Sequence, residues 1–179
     1  MLTRIAIADD HPLVLFGTRL VIEAVGRHSV VGEAQCAEAL LDLLATEDVD
    51  LVVTDFSMPG GNRPDGQAML QALRRNHPRI PIVLVTMITN PTTLNMAMRT
   101  GVRGLVYKGS GVDGLRTAVD VVMGGGIYLD SELAPCLQEA GRERTLSVLS
   151  PKELEVLRLY VSGPSITEIA AQLRRTVST

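Results

Sequence analysis

The chain has 179 residues and a formal net charge of −3 at pH 7, which excludes a nucleic-acid coat protein that is basic throughout. Apolar residues make up 46% and charged residues 21%, a composition that excludes a disordered chain and allows a hydrophobic core of ordinary size. Aromatic residues are only 3%, which argues against binding single strands by stacking bases on aromatic side chains.

Strands and helices are predicted to alternate through the first two thirds of the chain. Short apolar, β-branched runs predict strands at residues 4–8, 29–33, 51–54, 82–86 and 104–107. Helical patterns are predicted at residues 12–25, 37–45, 67–76 and 90–101, and after a capping box formed by Ser110 and Asp113. A turn-rich loop at 57–66 follows the third strand.

This alternation predicts the fold class. Strands that are apolar throughout are typical of a parallel sheet covered by helices on both faces. Right-handed crossovers favour an α/β, flavodoxin-like (βα)5 fold with a five-stranded parallel sheet of order 2-1-3-4-5. The functional crevice of such a sheet lies outside the carboxyl ends of strands 1 and 3, where the winding reverses.

The pattern changes after residue 126. We interpret residues 1–126 as one domain and residues 127–148 as a linker with a short helix around 133–137. Residues 149–179 predict a small all-α unit, because Ser150 and Ser165 each begin a capping box. Thr176 is typical of the cap of a third helix, which stops three residues later at the end of the sequence.

Polar residues stand where the topology predicts the crevice. Asp9 and Asp10 follow the first strand, Asp55 follows the third, Thr86 ends the fourth and Lys108 follows the fifth. Converging carboxylates repel one another unless a cation lies between them, and oxygen-only ligands suit Mg²⁺. An aspartate is also able to act as a nucleophile toward phosphorus, with an ammonium and a metal neutralising the phosphoryl charge.

Each of these residues has an ordinary interpretation when it is taken alone. Asp9 and Asp10 ahead of Pro12 are also typical of a helix cap, and Asp55 of a turn. Lys108 fits a solvated surface charge. Their joint position at four separate strand ends favours a functional site over four unrelated features.

The motifs in combination resemble a response-regulator receiver domain followed by the start of a LuxR-type helix-turn-helix. The resemblance is to the NarL/FixJ class and, within it, to the RcsB-like regulators. The motifs that carry it are Asp9-Asp10-His11-Pro12, Asp55-x-x-Met58-Pro59, Asp65-Gly66, Thr86, Lys108, Leu149-Ser150-Pro151-Lys152-Glu153 and Thr167-Glu168-Ile169-Ala170.

The resemblance implies a phosphoacceptor and a metal site. Asp55 would accept a phosphoryl group from a sensor histidine kinase or a histidine phosphotransfer protein. Asp10 would bind Mg²⁺ directly, and Asp9 would bind it through water or help to set the charge of the site. Asp55 and the backbone carbonyl of Ser57 would complete the protein ligands. Thr86 and Lys108 would hold the phosphoryl oxygens.

The resemblance also implies a homodimer or a heterodimer with another regulator, and DNA binding by the intact protein. The recognition helix would begin with Thr176, Val177, Ser178 and Thr179. Because only this start of the helix is present and the net charge from residue 149 onward is weakly positive, we expect no specific DNA binding by these 179 residues.

Three residues depart from the receiver pattern. Leu105 stands where many receivers carry an aromatic switch residue, and Gly109 stands where many have proline after the lysine. Met87 replaces the small residue that commonly follows the threonine, and we expect its side chain to shield the site and slow the loss of the phosphoryl group.

Other interpretations remain open. One is a receiver that acts mainly through protein–protein interactions, without binding DNA. A phosphatase with Asp55 as nucleophile is less favoured, because Ser57 is a poor general acid, and we expect no enzyme activity. A flavodoxin-like nucleotide binder is also less favoured, because the two carboxylates after the first strand would repel phosphate.

Cysteines and hydropathy indicate the cellular setting. Cys36 and Cys136 form no C-x-x-C pair, which favours two reduced thiols over a zinc ribbon or a disulfide framework. Asp9 and Asp10 interrupt the first apolar run, and later apolar runs such as 82–85 are too short to cross a bilayer. We therefore expect a cytoplasmic protein with no membrane partner.

Overall fold

Six parallel strands alternate with five helices in the computed structural model, which describes residues 2–137. The strands are β1 Thr3–Ala8, β2 His28–Ala34, β3 Leu51–Thr54, β4 Ile82–Thr86, β5 Gly104–Tyr107 and β6 Tyr128–Leu129. The helices are α1 Pro12–Glu23, α2 Ala37–Thr46, α3 Gly66–Asn76, α4 Pro91–Thr100 and α5 Val112–Met123. The predicted linker residues 138–148 and the predicted helix-turn-helix at 149–179, with Thr176, Val177, Ser178 and Thr179, lie outside the described residues.

The sheet has the order β2-β1-β3-β4-β5-β6, and all of its neighbouring strands pair in parallel. The predicted order of the first five strands is confirmed. The sheet separates two apolar clusters because alternate residues of each strand face opposite sides. Along β1, for example, Ile5 and Ile7 pack with α1 and α5, whereas Ala6 and Ala8 pack with α2, α3 and α4.

The sixth strand was not predicted. Tyr128 and Leu129 pair with Gly104 and Leu105 on the outer edge of β5. A two-residue strand is too short to show a hydrophobic period, so the sequence pattern of this region is typical of a linker. The first compact unit extends to Leu137, and Leu133 within it is fully buried among the residues of the α2–α4 side.

Local sequence accounts for both ends of α4 but not for the start of α5. The Asn90 side chain accepts a hydrogen bond from the Thr93 amide at 3.0 Å, and α4 ends at Gly101 with a left-handed φ of 100°. The predicted capping box at Ser110 is wrong. The residue before α5 is Gly111, and the Ser110 hydroxyl donates instead to Asp130 at 3.0 Å.

None of the helices within residues 2–137 has the length and hydropathy needed to cross a bilayer.

Candidate functional site

The carboxyl ends of the central strands are aligned by backbone hydrogen bonds. The Asp9 amide donates to the Ala34 carbonyl of β2 at 3.0 Å, and the Asp55 amide donates to the Ala8 carbonyl of β1 at 2.8 Å. One residue beyond β5, the Lys108 amide donates to the carbonyl of Thr86 at 3.0 Å. The pairing therefore fixes the backbones of Asp9, Asp55 and Lys108 at the same edge of the sheet.

Lys108 connects the two buried aspartates. Its Nζ lies 2.6 Å from Oδ2 of Asp9 and 2.6 Å from Oδ2 of Asp55, and its side chain is only 14% exposed. Burial alone would lower the pKa of Lys108, but hydrogen bonds and attraction from the two carboxylates outweigh it and raise this pKa above its ordinary value. The ammonium is therefore held charged at the centre of the site.

The second carboxylate oxygen of Asp55 accepts a hydrogen bond from the Phe56 amide at 2.6 Å. The two oxygens thus have different partners, a backbone amide for Oδ1 and an ammonium for Oδ2. Asp55 is 8% exposed, so its carboxylate lies at the floor of the crevice rather than in the core. These two contacts hold the carboxylate in one orientation.

Asp9, Asp10 and His11 form a second cluster beside this ion pair. One ligand atom of each residue lies within 4.8 Å of the others. The His11 Nδ1 is 2.8 Å from Asp10 Oδ1 and 3.3 Å from Asp9 Oδ1, and the His11 amide donates to Asp9. Carboxylate oxygens are the ligands that Mg²⁺ prefers, so Asp9 and Asp10 fit the predicted ion, whereas the His11 imidazole does not. Asp55 is joined to this cluster through Lys108 and Asp9.

Thr86 and Ser57 have hydrogen-bond partners elsewhere. Thr86 is 1% exposed, and its hydroxyl oxygen accepts from the Ile88 amide at 3.1 Å, within the loop that follows β4. The Ser57 hydroxyl is 3.4 Å from Asp65 Oδ2, which also accepts from the Met58 amide at 2.8 Å. Asp65 thereby closes the loop after Asp55, while Thr86 lies at the predicted strand end without touching the Lys108 ammonium.

The three residues that depart from the receiver pattern have distinct surroundings. Leu105 is fully buried in the apolar cluster of the α2–α4 side. A Cβ added to Gly109 would lie 2.6 Å from the ring of Tyr107, so any side chain there would require this ring to move. Met87 is 60% exposed. Its side chain, directly after Thr86, therefore faces solvent over much of its surface.

One buried polar residue near the site was missed by sequence reasoning. Asp130 is 2% exposed and accepts hydrogen bonds from the Tyr107 amide and the Ser110 hydroxyl, on either side of Lys108. No periodic pattern surrounds it, because it follows the two-residue β6. The only available signal was an acidic residue directly after a tyrosine and a leucine, which is weak evidence for burial.

Comparison with known proteins places the chain in a family. Residues 5–120 match the response regulator receiver domain. The transcriptional regulatory protein RcsB of Salmonella typhi is 36% identical over 180 residues, which cover 98% of this chain and 82% of that protein.

Solved structures agree with this match. A structure of the RcsB response regulator of Salmonella typhimurium, described in terms of its conformational dynamism for DNA interaction, has a TM-score of 0.78 and 35% identity, covering 99% of this chain and 87% of that one. A structure of two RcsB dimers bound to two parallel DNAs has a TM-score of 0.74 and 33% identity over 99% of this chain and 87% of that one. With the strand-end aspartates and the lysine in place, the chain belongs to the response regulators, as an RcsB-like member of the NarL/FixJ class.

Proposed function

We propose that this transcriptional response regulator is controlled by phosphorylation of Asp55. The observation that carries the proposal is the 2.6 Å contact between the Lys108 ammonium and the buried Asp55 carboxylate, beside the acidic pair Asp9 and Asp10. A buried carboxylate next to a fixed cation is suited to attack phosphorus, because the cation already stands where negative charge accumulates.

Transfer would begin with attack by a carboxylate oxygen of Asp55 on a phosphoryl group. The new P–O bond forms as the P–N bond of a phosphohistidine breaks, and the departing imidazole takes up a proton. The ammonium of Lys108 would move from carboxylate to phosphoryl oxygen over a short distance. Thr86 would contribute its hydroxyl after rotating away from the Ile88 amide, which it contacts here.

Mg²⁺ would be held by Asp10, Asp9, Asp55 and the backbone carbonyl of Ser57. When bound, the ion supplies positive charge to the phosphoryl oxygens. The charge balance supports this set, since Asp9 and Asp55 share the single ammonium of Lys108 and Asp10 adds a third carboxylate beside Asp9. The excess of negative charge favours a divalent cation over none.

The proposal includes protein partners. One face of α1 exposes Leu13, Phe16 and Leu20, which are 81%, 60% and 55% accessible and stand at i, i+3 and i+7. An exposed apolar stripe of this kind fits a docking surface. We assign to the regulator a histidine kinase or phosphotransfer protein as phosphoryl donor, and a homodimer or heterodimer as its active form.

DNA control would be the output of the intact regulator, acting in the cytoplasm. The relatives support this, since RcsB is a transcriptional regulator and its dimers have been seen on DNA. The residues predicted to start the recognition helix lie outside the described part of the chain. The exposed α1 stripe favours a second candidate, a receiver that works through protein contacts alone.

Labelling with acetyl phosphate tests the phosphoacceptor. The wild-type protein and Asp55→Asn are incubated with the reagent, with and without Mg²⁺, and the phosphorylated residue is identified by mass spectrometry. We expect metal-dependent labelling of the wild type at Asp55 and none in the variant. Asp113→Asn, on an aspartate with a 91% exposed side chain, is the matched control and should label normally. Equal labelling of Asp55→Asn would refute the proposal.

A further inference from the structure

A buried carboxylate joins the lysine loop to the segment that follows β6. We define the lysine loop as residues 107–110. Asp130 Oδ2 accepts from the Tyr107 amide at 3.2 Å, and Asp130 Oδ1 accepts from the Ser110 hydroxyl at 3.0 Å. Asp130 thus holds the loop on both sides of Lys108.

The same carboxylate also begins the next turn of chain. Asp130 Oδ1 accepts from the Glu132 amide at 3.0 Å, and its backbone carbonyl accepts from the amides of Leu133 and Ala134, each at 3.0 Å. Residues 134–137 are helical. Leu133 is fully buried, so this turn is anchored in the core.

The burial of Asp130 makes these contacts interdependent. At 2% exposure, a carboxylate that loses a donor is left facing protein rather than water, which is costly. Two of its donors belong to the lysine loop and a third to the following turn, while the Asp130 amide donates to the Leu105 carbonyl of β5 at 2.9 Å. A shift of the loop or of the turn therefore disturbs the other through a shared carboxylate.

The lysine loop needs such support. Its backbone is closed by the Ser110 amide, which donates to the Tyr107 carbonyl at 3.0 Å, and the Lys108 amide donates a hydrogen bond to the Thr86 carbonyl of β4 at 3.0 Å. Gly109 adds no side chain that would restrain the loop, and Ser110 is exposed. Two donors of this loop, the Tyr107 amide and the Ser110 hydroxyl, go to Asp130.

We propose that Asp130 is a positioning residue for phosphoryl transfer, which fixes Lys108 against Asp9 and Asp55 and makes the position of Lys108 depend on residues 131–137. The proposal rests on the proposed function of Asp55. Asp130 touches neither the phosphoryl donor nor the acceptor. It acts through the backbone of Tyr107 and the hydroxyl of Ser110.

The first test is Asp130→Asn, which preserves size but leaves a single acceptor oxygen. Only one of the two side-chain positions of an asparagine is an acceptor oxygen. Either the Tyr107 amide, or the Ser110 hydroxyl together with the Glu132 amide, must therefore face the NH₂ group. The rate of Asp55 labelling is measured against acetyl phosphate concentration. We expect the maximal rate to fall about tenfold with an unchanged half-saturating concentration, because charge stabilisation is lost in the transition state rather than reagent binding.

Controls separate positioning from general damage. Asp113→Asn is the matched exposed aspartate, and Leu44→Ala truncates a buried leucine of α2 in the same apolar cluster as Leu133. Both should retain the wild-type maximal rate while the protein is folded, although Leu44→Ala lowers the melting temperature. If Asp130→Asn does not fold, Ser110→Ala removes one donor from an exposed position and should still lower the maximal rate severalfold.

The second test concerns the dependence on residues 131–137. Leu133→Ala should lower the maximal rate, unlike Leu44→Ala, and the double variant with Asp130→Asn should be no slower than Asp130→Asn alone. Additive effects in this cycle, or equal rates for Leu133→Ala and Leu44→Ala, would overturn the dependence of Lys108 on residues 131–137.

A wild-type rate in Asp130→Asn, or in Ser110→Ala where Asp130→Asn does not fold, would overturn the positioning role of Asp130. An absence of labelling in the wild type would instead refute the function of Asp55.

Discussion

Two regions of the molecule bury carboxylates and neutralise them in opposite ways. At the ends of β1 and β3, Asp9 and Asp55 share one ammonium, and Asp10 adds a third carboxylate that is partly exposed. At the end of β6, Asp130 is surrounded by two amides and a hydroxyl, all neutral donors. The first region keeps an excess of negative charge at a crevice, whereas the second has its acceptors satisfied inside the protein.

The difference explains what each region is suited to do. An ammonium on a flexible stem is able to change partners, so the first region adapts when a phosphoryl group and a divalent ion arrive. Backbone amides have no such freedom, because the strand and turn that carry them are fixed by their own hydrogen bonds. The second region is suited to hold the first one in place.

The largest effect should come from removing the ammonium of the first region. In Lys108→Met we expect the rate of Asp55 labelling by acetyl phosphate to fall on the order of 100- to 1000-fold, the usual consequence of losing a preorganised stabilising group. Arg99→Met removes an exposed cation from α4 and should leave the rate unchanged. Similar rates for Lys108→Met and the wild type would show that the two buried carboxylates are not balanced by this lysine during transfer.

Removing the partly exposed carboxylate of Asp10 should have a smaller effect on the labelling rate, and added Mg²⁺ is expected to reverse it. In Asp10→Asn we expect half-maximal labelling to require on the order of 10- to 100-fold more Mg²⁺, with the rate recovering at saturation. The readout is labelling of Asp55 across a Mg²⁺ titration, and Asp113→Asn provides the control. An unchanged Mg²⁺ requirement would remove Asp10 from the metal site.

Much of the first region was predictable, and the reason is geometric. Parallel strands end at the same edge, so Asp9, Asp55 and Lys108 are brought together by the strand order alone. The sequence does not specify which atom of a side chain meets which partner. Thr86, for example, stands at its predicted strand end but bonds to the following loop.

The second region was not predictable, because it is built from contacts between segments with weak local patterns. Ser110 resembles a helix cap in the sequence, since a serine three residues before an aspartate favours one. The competing acceptor is Asp130, 20 residues further along the chain. A two-residue strand brings it there, and no periodicity reveals such a strand.

An exposed residue next to Thr86 should produce a modest change in the lifetime of the phosphorylated protein. Met87 directly follows the last residue of β4 and is 60% exposed. We expect Met87→Ala to lose its phosphoryl group a few times faster than the wild type, because water gains access to the first region. The measurement is the decay of labelled protein after removal of acetyl phosphate, and equal or slower decay in the variant would contradict shielding. Met96→Ala, an exposed methionine of α4, is the control.

The smallest expected effect is a loss of stability in alkaline solution to which both regions contribute. The pKa of Lys108 is raised from 10.5, since its two carboxylates outweigh the cost of burial. The pKa of Tyr128 is raised from 10.0 by burial and by the charge of Asp130. Each group holds its proton more tightly in the folded state than in the unfolded state.

The stabilisation from each group is therefore complete below the unfolded pKa and is lost as the pH rises through the folded pKa. We expect the free energy of unfolding, measured by urea denaturation, to fall as the pH rises above about 10. Lys108→Met should remove the larger part of this slope and Tyr128→Phe a smaller part, because the lysine meets two carboxylates and the tyrosine only the field of one. A slope unchanged in Lys108→Met would mean that the ammonium gains nothing from Asp9 and Asp55 on folding, and the contrast between the two regions would fail.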